Sequence, residues 1–531
     1  FFQHPIFVSY KYFVSIMAKV NTGKDRSKSV DNPTPHIIEG ENATPLEVIG
    51  ATATASDKVV VIMVGLPATG KTHIAKRICR FISFFLDIPT QIFNVGDYRR
   101  QICGPTLPST FFDPQNKEFV NKRNGACNAA LEDLIEYMRK DGKRLAVYDA
   151  TNSTRERRKF IQEKLINAGI GAKRMIVESI CDKEDVLEES IRSVKLNTPD
   201  YQGMDPEKAV RDFKERRAFY MSAYQTVDDS DGSYIKVFNS QKFVIHNIRG
   251  YLPLKVVHFV MNLHTTSRVI YLSRHGQSEY NLLGKIGGDS GLSENGDEYA
   301  KRLAKFAHEQ VGSQTVIDEN GKEVKQMIPA RLWTSTMRRT KETAKYIQHN
   351  EMNGTWDNGD YIKWLQFRPN ARRNLDELYA GTCDGMTYKE IEEVFPEEFE
   401  RRQADKLSYR YPRGESYMDV TLRLEPLAHE MERIREPLLV IGHQGILRIL
   451  YAYFMGLTRA EAPYVSIPLN HVIKLTPHAY GCHEDRICLM AKEEMLNDGQ
   501  DEPVTSMPVK CDSESGIKVN VEDPVMDAPS C

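Results

Sequence analysis

The sequence predicts an α/β protein made of two catalytic-size domains in tandem. Three observations lead there. At 531 residues the chain exceeds the size at which a single core keeps growing. Through the first half, short β-branched runs alternate with helix-period runs, the rhythm of βαβ units around a parallel sheet. Strand-like runs in both halves also end in residues that carry chemistry. Val59–Val64 leads into Gly65-Leu66-Pro67-Ala68-Thr69-Gly70-Lys71-Thr72, and Arg268–Ser273 into Arg274-His275-Gly276.

Composition narrows the class. Apolar residues make up 41% and charged residues 27%, ordinary for a globular protein. With 71 basic against 73 acidic residues the formal charge is −2, which excludes a broad basic footprint for nucleic acid. Nine cysteines lie scattered with no C-x-x-C pair, so a reducing compartment is expected and neither a zinc framework nor a disulfide scaffold. Residues 1–16 are aromatic-rich, and the apolar run Ile6-Phe7-Val8 is too short to span a bilayer. Met17 reads as the natural start. Residues 1–56 and 491–531 are polar and read as flexible tails. Ser27, Ser29, Ser513 and Ser515 are the tail positions open to regulatory protein kinases, against the default of an unmodified solvated tail.

The first domain is expected over 57–266, with strands at 59–64, 91–95, 144–149 and 173–180 and helices at 71–86, 117–140 and 154–168. The Gly65–Thr72 turn matches G-x-x-x-x-G-K-[ST]. Its glycines let backbone N–H groups converge on phosphate oxygens at a helix N-terminus. Lys71 adds a mobile cation, and Thr72 a hydroxyl for Mg²⁺. Asp149, at a strand end, suits an acid that arranges Mg²⁺; the alternative is a helix N-cap. Arg99, Arg100, Arg123, Arg155, Arg157 and Arg158 sit at helix starts and loops, as an acceptor carrying its own phosphate would require. A helical run over 188–195 ends at Thr198-Pro199-Asp200-Tyr201. A further helix over 205–224 carries Arg216 and Tyr220 on one face.

The second domain is expected over 267–490. Pro437-Leu438-Leu439-Val440-Ile441-Gly442-His443 repeats the plan of a strand ending in histidine. Arg338 and Arg339 follow a strand at Leu332–Thr334, and Asp376 and Glu377 lie in a loop. A neutral imidazole is a competent nucleophile near neutral pH, arginines and a second imidazole can hold the oxygens of a transferring phosphoryl group, and an acid can protonate the departing alkoxide. A lone histidine is normally a satisfied core or surface residue; the repeated strand–His pattern with Arg339 between favours function.

Taken together, Gly65–Thr72, Tyr98-Arg99-Arg100, Asp149–Arg158, Arg274-His275-Gly276 with Gly287–Gly291, Tyr411–Tyr417 and Leu475–Gly481 resemble the bifunctional 6-phosphofructo-2-kinase/fructose-2,6-bisphosphatase family over about 57–490. The resemblance implies an adenylate-kinase-like P-loop kinase followed by a phosphoglycerate-mutase-like histidine phosphatase. It implies ATP with Mg²⁺ for the kinase, no cofactor for the phosphatase, fructose 6-phosphate and fructose 2,6-bisphosphate as ligands, and a cytosolic homodimer without nucleic-acid or membrane partners that controls glycolysis and gluconeogenesis. ATP would lie on Gly65–Thr72, with Thr72 and Asp149 at the metal and Lys71, Asp149 and Cys181 in the kinase site. Arg99, Arg123, Thr151, Arg157, Lys195, Arg216 and Tyr220 would hold fructose 6-phosphate. In the phosphatase, His275 would carry the phosphate and Glu377 act as acid and base, with Arg274, Asn281, Arg339 and His443 on the phosphoryl group. Gly287, Tyr388, Arg402, Lys406, Tyr417, Gln444 and Arg448 would contact the sugar bisphosphate.

Two departures stand out. The family's loop usually has arginine where Thr69 stands, and its Arg-His-Gly is usually followed by glutamate where this chain has Gln277. The first removes a charge near the nucleotide; the second alters the charge near the imidazole. Neither removes a group the chemistry needs. Two other readings compete: a kinase–phosphatase fusion acting on nucleic-acid ends, disfavoured by the neutral composition, and a regulatory binding protein with decayed sites, disfavoured by Lys71, Asp149, His275, Glu377 and His443.

Overall fold

The computed structural model describes residues 57–184, 187–188, 191–192, 198–201, 203–264, 268–318, 321–355, 361–478, 481–491 and 494. Met17, the four tail serines, Lys195 and the expected domain junction at 265–267 lie outside the described residues, as does most of the expected 188–195 helix.

The first sheet has the order β2-β3-β1-β4-β5-β6, with β1 Val59–Val64, β2 Thr90–Asn94, β3 Leu145–Asp149, β4 Lys173–Ile180, β5 Tyr234–Phe238 and β6 Lys242–His246. All neighbours are parallel except the antiparallel edge pair β5–β6. Every β1 side chain is buried, and the strand's period of two divides them between two cores. Val59, Val61 and Met63 join helices Lys71–Leu86 and Tyr251–Val260; Val60, Ile62 and Val64 join helices Lys117–Arg139 and Arg155–Asn167. The apolar run at 254–260 belongs to helix Tyr251–Val260, which starts just after Gly250 at φ 102°.

The second sheet has the order β13-β10-β14-β7-β15-β16, with β7 Ile270–Arg274, β10 Ala330–Thr334, β13 Phe367–Ala371, β14 Leu438–Gly442, β15 His471–His478 and β16 Gly481–Cys488. The first four strands are parallel and the last two antiparallel. Two hairpins, β8 Ser313–Ile317 with β9 Glu323–Met327 and β11 Glu351–Thr355 with β12 Tyr361–Leu365, form separate two-stranded sheets.

One hydrophobic core runs through both sheets. Helix Lys71–Leu86 packs against helices Tyr417–Arg433 and Gln444–Met455. Phe81 stacks on Phe259 with ring centroids 4.4 Å apart and lies 4.5 Å from the His429 ring, while Phe85 meets Tyr453 at 4.9 Å. Inside this contact Glu432, 1% exposed, pairs with Arg77 and Arg268 and accepts from Tyr453 Oη at 2.7 Å. Burial alone would raise the carboxyl's pKa; Arg77 and Arg268 overcome it and hold Glu432 at about 2.

A buried ion group of this kind is costly to break from one side, because the remaining charges lose their partner. Glu432→Gln is therefore expected to destabilise the protein by about 3–5 kcal/mol, read as a lowered midpoint in urea unfolding at pH 7. Because the folded pKa is depressed, the stabilisation is complete above the unfolded carboxyl's ordinary range and is lost as pH falls toward 2. The stability gap between wild type and Glu432→Gln should close across that acid window.

Candidate active sites at two strand ends

In the first sheet the site forms where β1 and β3 end side by side. The chain leaving β1 crosses to β2, on the far side of β3, while the chain leaving β3 crosses over β1 to β4. Diverging connections leave a crevice at the carboxyl ends. Gly65 opens the loop at φ 140°, where a Cβ would lie 2.3 Å from the Ser179 carbonyl oxygen. Ala68 and Gly70 also take positive φ, and Gly70 caps helix Lys71–Leu86. Thr69 Oγ1 and Lys71 Nζ both donate to the Leu66 carbonyl, at 2.9 and 2.6 Å. Thr69 therefore turns its neutral hydroxyl back into the loop.

Asp149 ends β3, and its Oδ2 accepts from Thr72 Oγ1 at 2.7 Å and from Asn94 Nδ2 at 2.8 Å. The N-cap of the following helix is Thr154, not Asp149. Hard oxygens from one hydroxyl and one carboxylate fit Mg²⁺, which keeps waters and substrate phosphates as its other ligands. Thr151 lies beside the loop, its carbonyl accepting from Gly65 N at 3.1 Å.

Three arginines gather on a carboxylate that the sequence suggested only as a helix breaker. Asp200 accepts from Arg99 at 2.6 and 2.7 Å, from Arg216 at 3.1 Å and from Arg100 at 3.3 Å. Burial would raise its pKa, but Arg99 and Arg216 hold it below the usual carboxylate range. Arg216 lies 3.9 Å above the Phe112 ring, and Tyr220 meets the same ring at 5.8 Å. Arg123 lies over Phe111 and donates to the Asp113 carbonyl at 3.3 Å. Arg157 instead lies over Phe160. Cys181 follows β4, half-buried.

The second sheet repeats the logic. The chain leaving β7 crosses β14 to reach β10, and the chain leaving β14 crosses β7 to β15. His275 and His443 follow these two strands, buried, with ring centroids 5.1 Å apart. Arg339 Nε donates to His275 Nε2 at 3.1 Å and to His443 Nδ1 at 3.2 Å. Since arginine only donates, both nitrogens are acceptors. His275 Nδ1–H then donates to the Gly276 carbonyl at 2.8 Å, and His443 Nε2–H to Ser335 Oγ at 2.8 Å. Burial, then Arg339, keeps both imidazoles well below their ordinary pKa, hence neutral at pH 7. A neutral Nε2 lone pair held beside a guanidinium is a competent phosphoryl acceptor.

Around this pair, Arg274 is buried and donates to the Ile467 carbonyl at 3.1 Å. Arg339 Nη1 reaches the Gly288 carbonyl at 2.6 Å, and Gly287 takes φ 70° where a Cβ would strike Asp384. Asn281 spends its side-chain oxygen on Ser278 in a capping box. Glu377 Oε2 accepts from Gly445 N at 3.3 Å, at the start of the helix after His443. Arg423 holds the Asp376 carbonyl at 2.7 Å and so braces the Glu377 loop. Gln277 accepts from Ser293 Oγ at 2.9 Å and Asn295 Nδ2 at 3.2 Å.

A second cationic group lies nearby. Arg402 donates to Tyr388 Oη at 2.9 Å, Arg448 donates to Tyr417 Oη at 3.2 Å, and Lys406 lies over Tyr464. Gln444 begins helix Gln444–Met455. Burial, then Arg448 and Arg402, pulls Lys406 down to about 7. Asp200, Arg217, Ser335 and Arg423 are the site-building residues sequence reasoning missed. For Ser335 the signal was present, since it directly follows the strand-like run Leu332–Thr334 and leads into Arg338 and Arg339.

A nucleotide-type phosphate loop at one switch point and paired histidines at another define a fused phosphoryl-transfer enzyme, a P-loop kinase joined to a histidine phosphatase. Comparison with known proteins makes the class specific. Residues 48–267 match the 6-phosphofructo-2-kinase family and 270–488 the histidine phosphatase superfamily, branch 1. The chain is 41% identical over 462 residues to a 6-phosphofructo-2-kinase/fructose-2,6-bisphosphatase of Aquarana catesbeiana, covering 86% of this chain and 90% of the relative. It is 42% identical to that of Gallus gallus, over 84% and 87%, and 40% identical to 6-phosphofructo-2-kinase/fructose-2,6-bisphosphatase 3 of Homo sapiens, over 81% and 76%.

The chain belongs to the 6-phosphofructo-2-kinase/fructose-2,6-bisphosphatase family. It synthesises fructose 2,6-bisphosphate from fructose 6-phosphate and ATP, and hydrolyses it. Among the described residues no helix is long and apolar enough to cross a membrane.

Lys406 is charged below its pKa of about 7 and neutral above it. If it binds the substrate's phosphate, kcat/KM for hydrolysis should fall as pH rises through 7, with loss of that limb in Lys406→Met. Rate–pH profiles at substrate below KM read this directly.

Proposed function

We propose that the two reactions run on the residues gathered at these strand ends. In the kinase, the Gly65–Thr72 backbone and Lys71 hold the ATP phosphates, and Thr72 and Asp149 hold Mg²⁺. The metal, when bound, neutralises charge developing between the phosphates. Arg99, Arg123, Arg216 and Tyr220 hold the acceptor's 6-phosphate side, with Thr151, Arg157 and Lys195 completing that site and Cys181 at its edge. Asp200 keeps the arginines gathered before the acceptor arrives.

In the phosphatase, His275 Nε2 attacks the 2-phosphate as the P–O2 bond breaks. The electron pair leaves on O2, and Glu377 protonates it, releasing fructose 6-phosphate. Arg274, Arg339 and His443, with Asn281, hold the phosphoryl oxygens. Water, losing its proton to Glu377, then takes the phosphate from His275. Arg402, Lys406 and Arg448, with Tyr388, Tyr417, Gly287 and Gln444, receive the sugar and its 6-phosphate. The observation that carries this reading is the Arg339 Nε bridge, which orients both imidazoles with their acceptor nitrogens toward one guanidinium.

The assembly that the family resemblance implies is a cytosolic homodimer setting the balance of glycolysis and gluconeogenesis. The edge strand β6, with Val244 and Ile245 exposed, supports self-association, since an open edge is a template for pairing. With Mg·ATP and fructose 6-phosphate, fructose 2,6-bisphosphate should rise to a steady level. It should rise further in His275→Ala, and Lys71→Met should abolish it. ATP consumption without that product in the wild type would defeat the reading. Sedimentation of the full chain should give a dimer that a charged substitution at Ile245 weakens.

A further inference from the structure

Helix Pro206–Ser222 carries two consecutive arginines with different partners. Arg216 donates to Asp200 at 3.1 Å on the acceptor side. Arg217, about 100° round the helix, donates through Nη1 to the Pro67 carbonyl at 2.7 Å and through Nη2 to the Cys181 carbonyl at 3.4 Å. Pro67 belongs to the phosphate loop, and Cys181 follows β4, the neighbour of β1 on the side away from β3. One guanidinium therefore ties the phosphate loop to the end of β4, and ties both to the helix that presents Arg216 and Tyr220.

The electrostatics set Arg217 apart from its neighbours. Arg99, Arg100 and Arg216 share the Asp200 carboxylate. Among the described residues, Arg217 has hydrogen bonds to carbonyl oxygens and no carboxylate within ion-pair distance. It is a half-buried cation without an anion beside the loop that receives one. The loop's own side chains do not duplicate it: Thr69 is neutral and bonded back to Leu66, so Lys71 is the loop's single cation. A guanidinium offers five N–H groups, and two bonds to carbonyls leave the rest of the fork for phosphate oxygens.

We propose that Arg217 is a positioning residue of the nucleotide site, fixing the phosphate loop through the Pro67 carbonyl against the acceptor-binding helix and adding a second cation to the surroundings of the ATP polyphosphate. This rests on the reading of Gly65–Thr72 as the ATP loop.

The test uses the full chain, whose phosphatase activity reports folding independently of the kinase. Arg217→Met keeps the apolar stem and removes the charge. Its KM for ATP should rise roughly 10- to 100-fold, the size of a lost charge-assisted contact, and KM for fructose 6-phosphate should stay within about twofold. Arg217→Lys should fall between wild type and Arg217→Met. Thr69→Arg on the Arg217→Met background, which returns a cation to the loop itself, should recover part of the ATP affinity; a purely structural brace would not be rescued this way. Titration with a non-hydrolysable ATP analogue, without acceptor, should show the same order of affinities. A KM for ATP within about twofold of wild type in Arg217→Met, or an equal rise in both KM values, overturns the proposal. Lys71→Met, measured alongside, separates the cases: if it retains kinase activity, the loop assignment itself has failed.

Discussion

The constraint on which both sites depend is topological. A right-twisted parallel sheet accepts crossovers of one hand, so neighbouring strands whose chains leave in opposite directions send their helices to opposite faces. β1 and β3 do this in the first sheet; in the second, the chains leaving β7 and β14 also diverge, and the helices Glu294–Phe306 and Gln444–Met455 that follow them pack into different cores. Between each pair the carboxyl ends stay uncovered. Each crevice receives backbone N–H groups at a helix start and a polar side chain from the adjacent strand: Lys71 and Thr72 facing Asp149, His275 facing His443. Two reactions of opposite direction are thus built from one geometric device used twice.

The same device explains why the two halves are not independent beads. The helix that begins at the phosphate loop and the helices that begin at Tyr417 and Gln444 all fall on faces that meet in one shared core. Phe81, Phe85, Tyr453 and the Glu432 ion group fill it. A displacement of any of these helices is felt at the start of the others, because close-packed interiors transmit strain instead of absorbing it. Through Arg77 and Glu432 this contact joins residues more than three hundred positions apart.

The sites handle charge in contrasting ways. The kinase domain gathers Arg99, Arg100 and Arg216 on Asp200, whose carboxylate relieves their mutual repulsion. The phosphatase leaves Arg402, Lys406 and Arg448 close together and lets the lysine lose affinity for its proton. It also uses desolvation to keep both histidines neutral beside Arg339, which preserves the lone pair that phosphoryl transfer requires. Gln277 fits this setting: its amide bonds to Ser293 and Asn295, and a neutral group in that position adds no negative charge that would favour imidazolium.

Sequence alone determined what is local. The glycine-bounded loop, the strand runs that end in Asp149, His275 and His443, and the helix carrying Arg216 and Tyr220 are all short-range patterns, where period, turn chemistry and residue type suffice. Tertiary structure decided what depends on residues far apart in the chain. Asp200 read as a turn because Thr-Pro-Asp-Tyr breaks a helix, and only folding brings Arg99 and Arg216 to it. The tautomers of the two histidines follow from a single guanidinium over sixty residues from one and over a hundred from the other. For Asp149 a helix cap was open in sequence, and folding gives that cap to Thr154 while Asp149 accepts from a hydroxyl 77 residues away. Arg217 carried no motif at all. Its place beside Pro67 and Cys181 exists only because three elements converge at the open end of one sheet.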